Sequence, residues 1–111
     1  MAQFDREPKI TLNGTTPVAL VTAPGANARK VYEGGIAINL DSVDQTFIVV
    51  FKESAVLTEI GRVTIETGLA GPLPGAPFVL ANTDESITVE LPGAHTTTAP
   101  EAIGSSVFKE P

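Results

Sequence analysis

The side chains that could do chemistry are few and widely spaced. One histidine, His95, precedes Thr96, Thr97 and Thr98. A lone imidazole supplies neither the orienting partner of a nucleophilic triad nor the companion ligands of a zinc site, so His95 reads as a surface or edge-strand residue. Two carboxylate pairs, Asp41 with Asp44 and Asp84 with Glu85, invite a metal or glycosidase reading. Both fall among turn residues, where aspartates bond to their own backbone, and neither has the alternating oxygen ligands of a calcium loop. Calcium stays open there as the alternative to a structural turn. The stretch Gly104-Ser105-Ser106 lacks the flanking glycines of a nucleophile elbow. Gly34-Gly35 and the glycines of residues 68–75 precede no helix with a Lys-Ser/Thr pair, so no phosphate-binding loop is formed. The expectation is a protein without catalytic residues, metal or cofactor, and not an enzyme.

What must position these residues follows from composition. The chain has 111 residues, the size of one domain. Its 42% hydrophobic content excludes a wholly disordered chain, while 5% aromatic residues and no tryptophan require an aliphatic core. Ten Gly and nine Pro, scattered without a period, interrupt it too often for long helices and favour short strands joined by turns. Without cysteine, packing alone must hold the fold. A net charge of -6, with no basic cluster to reverse it locally, repels nucleic-acid phosphates and anionic membranes, so neither is an expected partner. Residues 1–8 contain Asp5, Arg6 and Glu7 and lack the apolar run of a signal peptide. No stretch approaches the roughly 20 apolar residues of a membrane span. Synthesis in the cytosol is the expectation.

Along the chain, residues 1–8 read as an extended arm, 9–98 as a β-sandwich domain, and 99–111 as a tail or final strand. Strands are expected at 9–12, 18–22, 29–40, 46–52, 62–67, 78–80 and 86–91, with turns at Asn13-Gly14 and residues 23–27. In the 29–40 segment Tyr32, Ile36, Ile38 and Leu40 share parity and are assigned one side, with Gly34-Gly35 as a bulge or close approach. Residues 46–52 are apolar on both faces, Phe47, Val49 and Phe51 on one and Ile48 and Val50 on the other, which marks a central strand. Residues 54–60 fit a helical turn or a strand, with strand favoured. Residues 68–77 hold three Pro and three Gly in ten positions and must be mostly loop. About eight short, mainly antiparallel strands at this spacing indicate an all-β sandwich or jelly roll.

The run Thr15-Thr16-Pro17-Val18-Ala19-Leu20-Val21-Thr22-Ala23-Pro24, followed by Ile36-Ala37-Ile38-Asn39-Leu40-Asp41-Ser42-Val43-Asp44-Gln45-Thr46-Phe47-Ile48-Val49, resembles small β-sandwich virion proteins of tailed bacteriophages. In them a threonine-rich strand leads to an Ala-Pro turn, and a later strand ends in an Asn-x-Asp turn before the next apolar strand. The resemblance covers residues 15–52. It implies a capsid cement (decoration) protein, or a head, neck or tail accessory protein, located in the virion and in host cytoplasm during assembly. It implies the major capsid protein or other virion subunits as partners and a homo-oligomer, with a trimer as one form. Large apolar residues near both termini suggest that Phe4 and Arg6 in the arm and Val107 and Phe108 in the tail contact neighbouring subunits, with Leu73 of the Gly/Pro-rich loop. The alternative is a carbohydrate- or receptor-binding module, which requires Tyr32 or loop aromatics at the surface.

Overall fold

Every strand pairing among the described residues is antiparallel. The computed structural model describes residues 2–109, and side chains for residues 7–108. Among these are ten strands: β1 (Ala2–Arg6), β2 (Ile10–Thr11), β3 (Val18–Val21), β4 (Arg29–Ile38), β5 (Gln45–Glu53), β6 (Val56–Ile65), β7 (Ala70–Pro72), β8 (Phe78–Leu80), β9 (Glu85–Glu90) and β10 (Glu101–Lys109). One sheet runs β1-β10-β4-β7, with β2 also on β10 and β8 also on β4; the other runs β3-β9-β5-β6. Because β1 and β2 pair with successive stretches of β10, and β8 and β7 with successive stretches of β4, both sheets are four ribbons wide.

This is the expected all-β sandwich, built from more strands than foreseen. The additions are β1, which carries residues 2–6 as an edge strand on β10 of the same chain, and the three-residue β7 within the Gly/Pro-rich segment. Of the two options for residues 99–111, the final strand holds for Glu101–Lys109, and it lies inside the larger sheet.

The layers meet through an aliphatic core. Leu20, Val21, Phe47, Val49, Ile87 and Val89 of the smaller sheet face Tyr32, Ala37, Leu80 and Ala102 of the larger, all fully buried. Burying such side chains is the main favourable contribution to folding, about 1.5–3 kcal/mol for each large one. The Phe51 and Phe78 rings extend the contact, with centroids 4.7 Å apart. Residues 46–52 form the interior strand β5 as expected, and Val63 and Ile65 turn inward while Arg62, Thr64 and Glu66 turn out.

Three expectations are corrected. Residues 54–60 and 62–67 are not separate elements: β6 runs through Gly61, with a register shift opposite Val49 and Val50. Its start is a two-residue turn in which Ser54 takes a positive φ of 53°. That turn is held because the Ser54 N–H donates to Asp84 O at 3.0 Å and its hydroxyl to Asp84 Oδ2 at 2.6 Å. Second, the parity of β4 breaks. Tyr32 is buried, but so are Ala37 and Asn39, while Ile36 and Leu40 are exposed. The register against β10 shifts between Gly104 and Ser106, where Glu33 and Gly34 stand against the single residue Ser105. One extra residue turns the rest of the strand over. Third, Leu73 is not a surface residue: it is 5% exposed and belongs to the core, with its N–H bonded to Gly35 O at 2.9 Å.

Candidate functional site

The consequence of the β4 bulge lies on the outside of the larger sheet. With Tyr32, Ala37, Leu80, Ala102 and Ser106 inward, alternation directs Val31, Ile36, Ile38, Val79, Ile103 and Val107 outward. Cross-strand register gathers them: Val31 lies between Val107 and Val79, and Ile36 between Ile103 and Pro72. Ile36 is 53% exposed and Val79 55%. Beside Ile36, with Ala70, Gly71 and Pro72, is an open apolar recess of about 290 Å³. That is at the lower limit of ligand pockets, which run about 300–1,000 Å³, and it has none of their convergent polar groups among its lining residues.

The backbone beneath this face admits no side chain. A Cβ on Gly35 would stand 2.3 Å from Ile103 O and 3.0 Å from Gly104 Cα, and one on Gly104 would stand 2.8 Å from Leu20 Cγ. The glycine pair across β4 and β10 lets the two strands and β3 approach closely just where the bulge reverses the faces.

Three buried carboxylates serve as anchors: Glu85, 7% exposed at the start of β9, accepts from the Ala81 and Asn82 N–H groups at 2.7 and 2.8 Å, and Glu7 and Asp41 make wider networks. Glu7, 5% exposed, accepts from the Thr22 N–H and hydroxyl at 3.1 Å each, from Lys30 Nζ at 3.4 Å and from the Ser106 hydroxyl at 3.1 Å. Its own N–H donates to Gly104 O at 3.0 Å, so it fastens the chain leaving β1 to β10 and β3 together. Burial by itself raises the Glu7 carboxyl, but the Thr22 N–H, the Lys30 charge and the two hydroxyls outweigh it and hold the group below its usual range.

Asp41, 2% exposed, ties the loop after β4 to the loop before β10. Its carboxylate accepts from the backbone N–H groups of Ser42, Thr96, Thr97 and Thr98, from the Thr97 hydroxyl, and from the Gln45 amide at 2.7 Å. Burial pushes the acid up, yet the N–H groups of Thr96 and Thr97, the Gln45 amide and the Ser42 N–H drive it far below the ordinary carboxylate range. Asn39 completes the turn: its amide donates to Val43 O and Ile65 O at 2.9 Å, and its oxygen receives the Asp41 N–H. The shell around Asp41 consists of hydrogen donors, which a cation could not replace, so calcium does not fit here. The Asn-x-Asp turn is a clamp between loops.

The expected contact residues do not form one cluster. Val107 joins the apolar outer face, while Phe108, half-buried, alternates to the inner side opposite Lys30. Leu73 is in the core. The backbones of Phe4 and Arg6 pair with Val107 and Ser105; their side chains lie outside the described residues. Tyr32 is buried and donates its hydroxyl to Pro74 O at 2.8 Å, so it offers no sugar platform. His95 is exposed on the loop that Asp41 holds. Sequence reasoning missed the outward isoleucines because parity was carried through the bulge. It missed Glu7 because its partners lie 15, 23 and 99 residues away.

The fold and surface together define an antiparallel β-sandwich with a glycine-seamed larger sheet and an apolar outer face. No protein-family model and no curated protein matches the sequence. Among solved structures the chain is similar to one from the Bacillus endospore appendages, which form a novel family of disulfide-linked pili; the TM-score is 0.59 at 13% identity, over 99% of this chain and 89% of that one. At that identity the likeness is one of fold.

Proposed function

We propose that this chain is a structural subunit of a multi-copy assembly, working by surface contact and not by catalysis. The observation that carries this reading is the outer face of the larger sheet, where exposed Ile36 and Val79 sit among further apolar neighbours. Contiguous apolar surface of this kind marks interaction sites on folded proteins. The assembly we favour is a tailed-phage particle, with the chain as a cement or decoration protein binding the major capsid protein. The resemblance of residues 15–52 to such virion proteins supports that choice.

A second reading is a subunit of a pilus-like polymer, favoured by the fold shared with the endospore appendage chain over 99% of this one. Such a polymer would be held without disulfides, since this chain has no cysteine. Quantitative mass spectrometry of washed particles from the source of the sequence separates the two. A copy number comparable with that of the major shell protein supports the cement role; absence from the particles overturns it. Filaments of the purified chain under the electron microscope would then favour the polymer.

A further inference from the structure

We propose that Asn13 is a site of spontaneous covalent modification, in which the Gly14 backbone nitrogen attacks the Asn13 side chain and ammonia leaves. The reaction is independent of the assembly role and needs no reagent but water. The Gly14 nitrogen gives up its proton to solvent and bonds to Asn13 Cγ. The Cγ–Nδ2 bond breaks, the amine takes a proton from water and departs as ammonia, and a five-membered cyclic imide remains. Water then opens the imide at one of its two carbonyls: a C–N bond breaks, the nitrogen regains a proton and the carbon gains a hydroxyl. The products are aspartate, or isoaspartate with the main chain routed through Cγ, and nothing is oxidised or reduced.

The chain has four asparagines, and three requirements separate Asn13 from the rest. The attacked amide must be reachable: Asn13 is exposed, and its side chain makes no hydrogen bond among the described residues. The attacking N–H must be free to lose its proton. The turn is held on both sides of it, by the Thr16 N–H to Asn13 O at 3.0 Å and the Leu91 N–H to Gly14 O at 2.8 Å, yet the Gly14 N–H itself has no acceptor among the described residues. The approach must be uncrowded, and glycine sets no Cβ beside its nitrogen. Asn39 is buried, with its amide donated to Val43 O and Ile65 O. Asn27 precedes Ala28, whose N–H is bonded to Gly25 O at 3.0 Å. Asn82 is exposed but precedes Thr83, whose branched Cβ crowds the nitrogen.

The place of the modification gives it a structural consequence. Asn13 directly follows Leu12, 1% exposed in the core, and the bond from Leu91 ties the β2–β3 connection to the end of β9. Isoaspartate inserts an extra carbon into the main chain between these fixed points. The Thr16–Asn13 and Leu91–Gly14 bonds then cannot both keep their geometry. The aspartate product leaves the backbone as it is and adds one negative charge.

Holding the intact, folded chain in mildly alkaline buffer and mapping its peptides by mass spectrometry over time tests this, because alkali favours loss of the amide proton. The peptide carrying Asn13 is expected to exchange NH2 for OH and to split into two chromatographic isomers. Asn27, Asn39 and Asn82 are expected to lag by about tenfold or more, a barrier difference of about 1.4 kcal/mol. Asn13→Gln, whose attack would have to close a six-membered ring, is expected to abolish the early release of ammonia. Its thermal melt should match that of the parent, since the Asn13 side chain is exposed and unbonded. Conversion at Asn13 no faster than at Asn82, or early ammonia that survives Asn13→Gln, overturns the proposal.

Discussion

The two outer faces of the sandwich carry similar β-branched residues and present opposite surfaces. On the smaller sheet Ile48 is flanked across the ladder by Arg62 and Glu90, and Val50 by Glu59 and Thr88. Polar residues stand on both sides of them, and Ile48 and Val50 are only 9% and 5% exposed. On the larger sheet Ile36 is flanked by Ile103 and Pro72, and Val31 by Val107 and Val79. Exposed Glu33 stands between them along β4, but no long polar side chain lies across the ladder from either. The difference lies in cross-strand neighbours, the unit in which sheet surfaces are built. The apolar second side of β5, visible in the sequence, is therefore satisfied within the chain, whereas that of β4 is not.

The strongest way to break the comparison is to attack the seam that sets the larger sheet's phase. Gly35→Ala places a methyl group 2.3 Å from a backbone oxygen that cannot swing away. The expected loss is about 4 kcal/mol or more, enough to unfold a marginal domain. Gly25→Ala, with nothing within 4 Å of the new atom, should change the urea midpoint little. Equal effects would show that the close approach of β4 and β10 does not carry the sheet.

Next in size is the anchor at the edge of that sheet. Glu7→Ala removes the acceptor for Thr22 and Ser106 and leaves Lys30, 11% exposed, without its carboxylate. A loss of about 2–3 kcal/mol is expected, together with faster amide exchange in β1 than in β6. In the smaller sheet the buried carboxylate, Glu85, accepts from two N–H groups of the adjoining turn without a charged partner, and the ion pair between Arg62 and Glu59 is solvent-exposed and contributes little.

Acid should act through the same anchors. Glu7 and Asp41 both have folded pKa values below their unfolded values of about 4, so their stabilisation is complete above that pH. It is lost as pH falls below about 4 and through the folded values. Urea midpoints measured from neutral pH down to pH 2 should stay level and then drop, and Asp41→Asn should flatten the drop. A midpoint that rises on acidification would contradict the assignment of both carboxylates as ionised anchors.

These features differ in how far the sequence announces them. The alternation of residues 86–91 and the double apolar face of β5 are local patterns, and they sufficed for the fold class and the central strand. β10 was harder, because Ala102, Gly104, Ser105 and Ser106 have little strand propensity; it is a strand because β4 and β1 pair with it on both sides. Gly34-Gly35 signalled a bulge, but a glycine pair does not state whether a residue is inserted, and that insertion decides which isoleucines meet solvent. Leu73 lies in a Gly/Pro-rich segment whose composition speaks for exposure, yet Tyr32 and Gly35 bond to the backbone of residues 73 and 74 and draw the loop onto the core. The carboxylates at 41 and 44 were legible as turn residues. The reach of Asp41 to Thr96, Thr97 and Thr98 depends on tertiary contact and has no local signature.

The smallest effect on stability gives the finest test of the two faces. Ile48→Thr and Ile36→Thr make the same chemical change at outward positions of the two sheets. At Ile48, 9% exposed between Arg62 and Glu90, the new hydroxyl is buried and apolar contact is lost, so a cost of about 1 kcal/mol is expected. At Ile36, 53% exposed, the monomer loses little, within about 0.5 kcal/mol. Thermal melts at low protein concentration read that difference. Assembly sharpens the contrast, since a partner on the larger sheet makes Ile36→Thr the costlier of the two for co-assembly while Ile48→Thr leaves co-assembly unchanged. Assembly indifferent to Ile36→Thr would mean that the open face of β4 is merely tolerated.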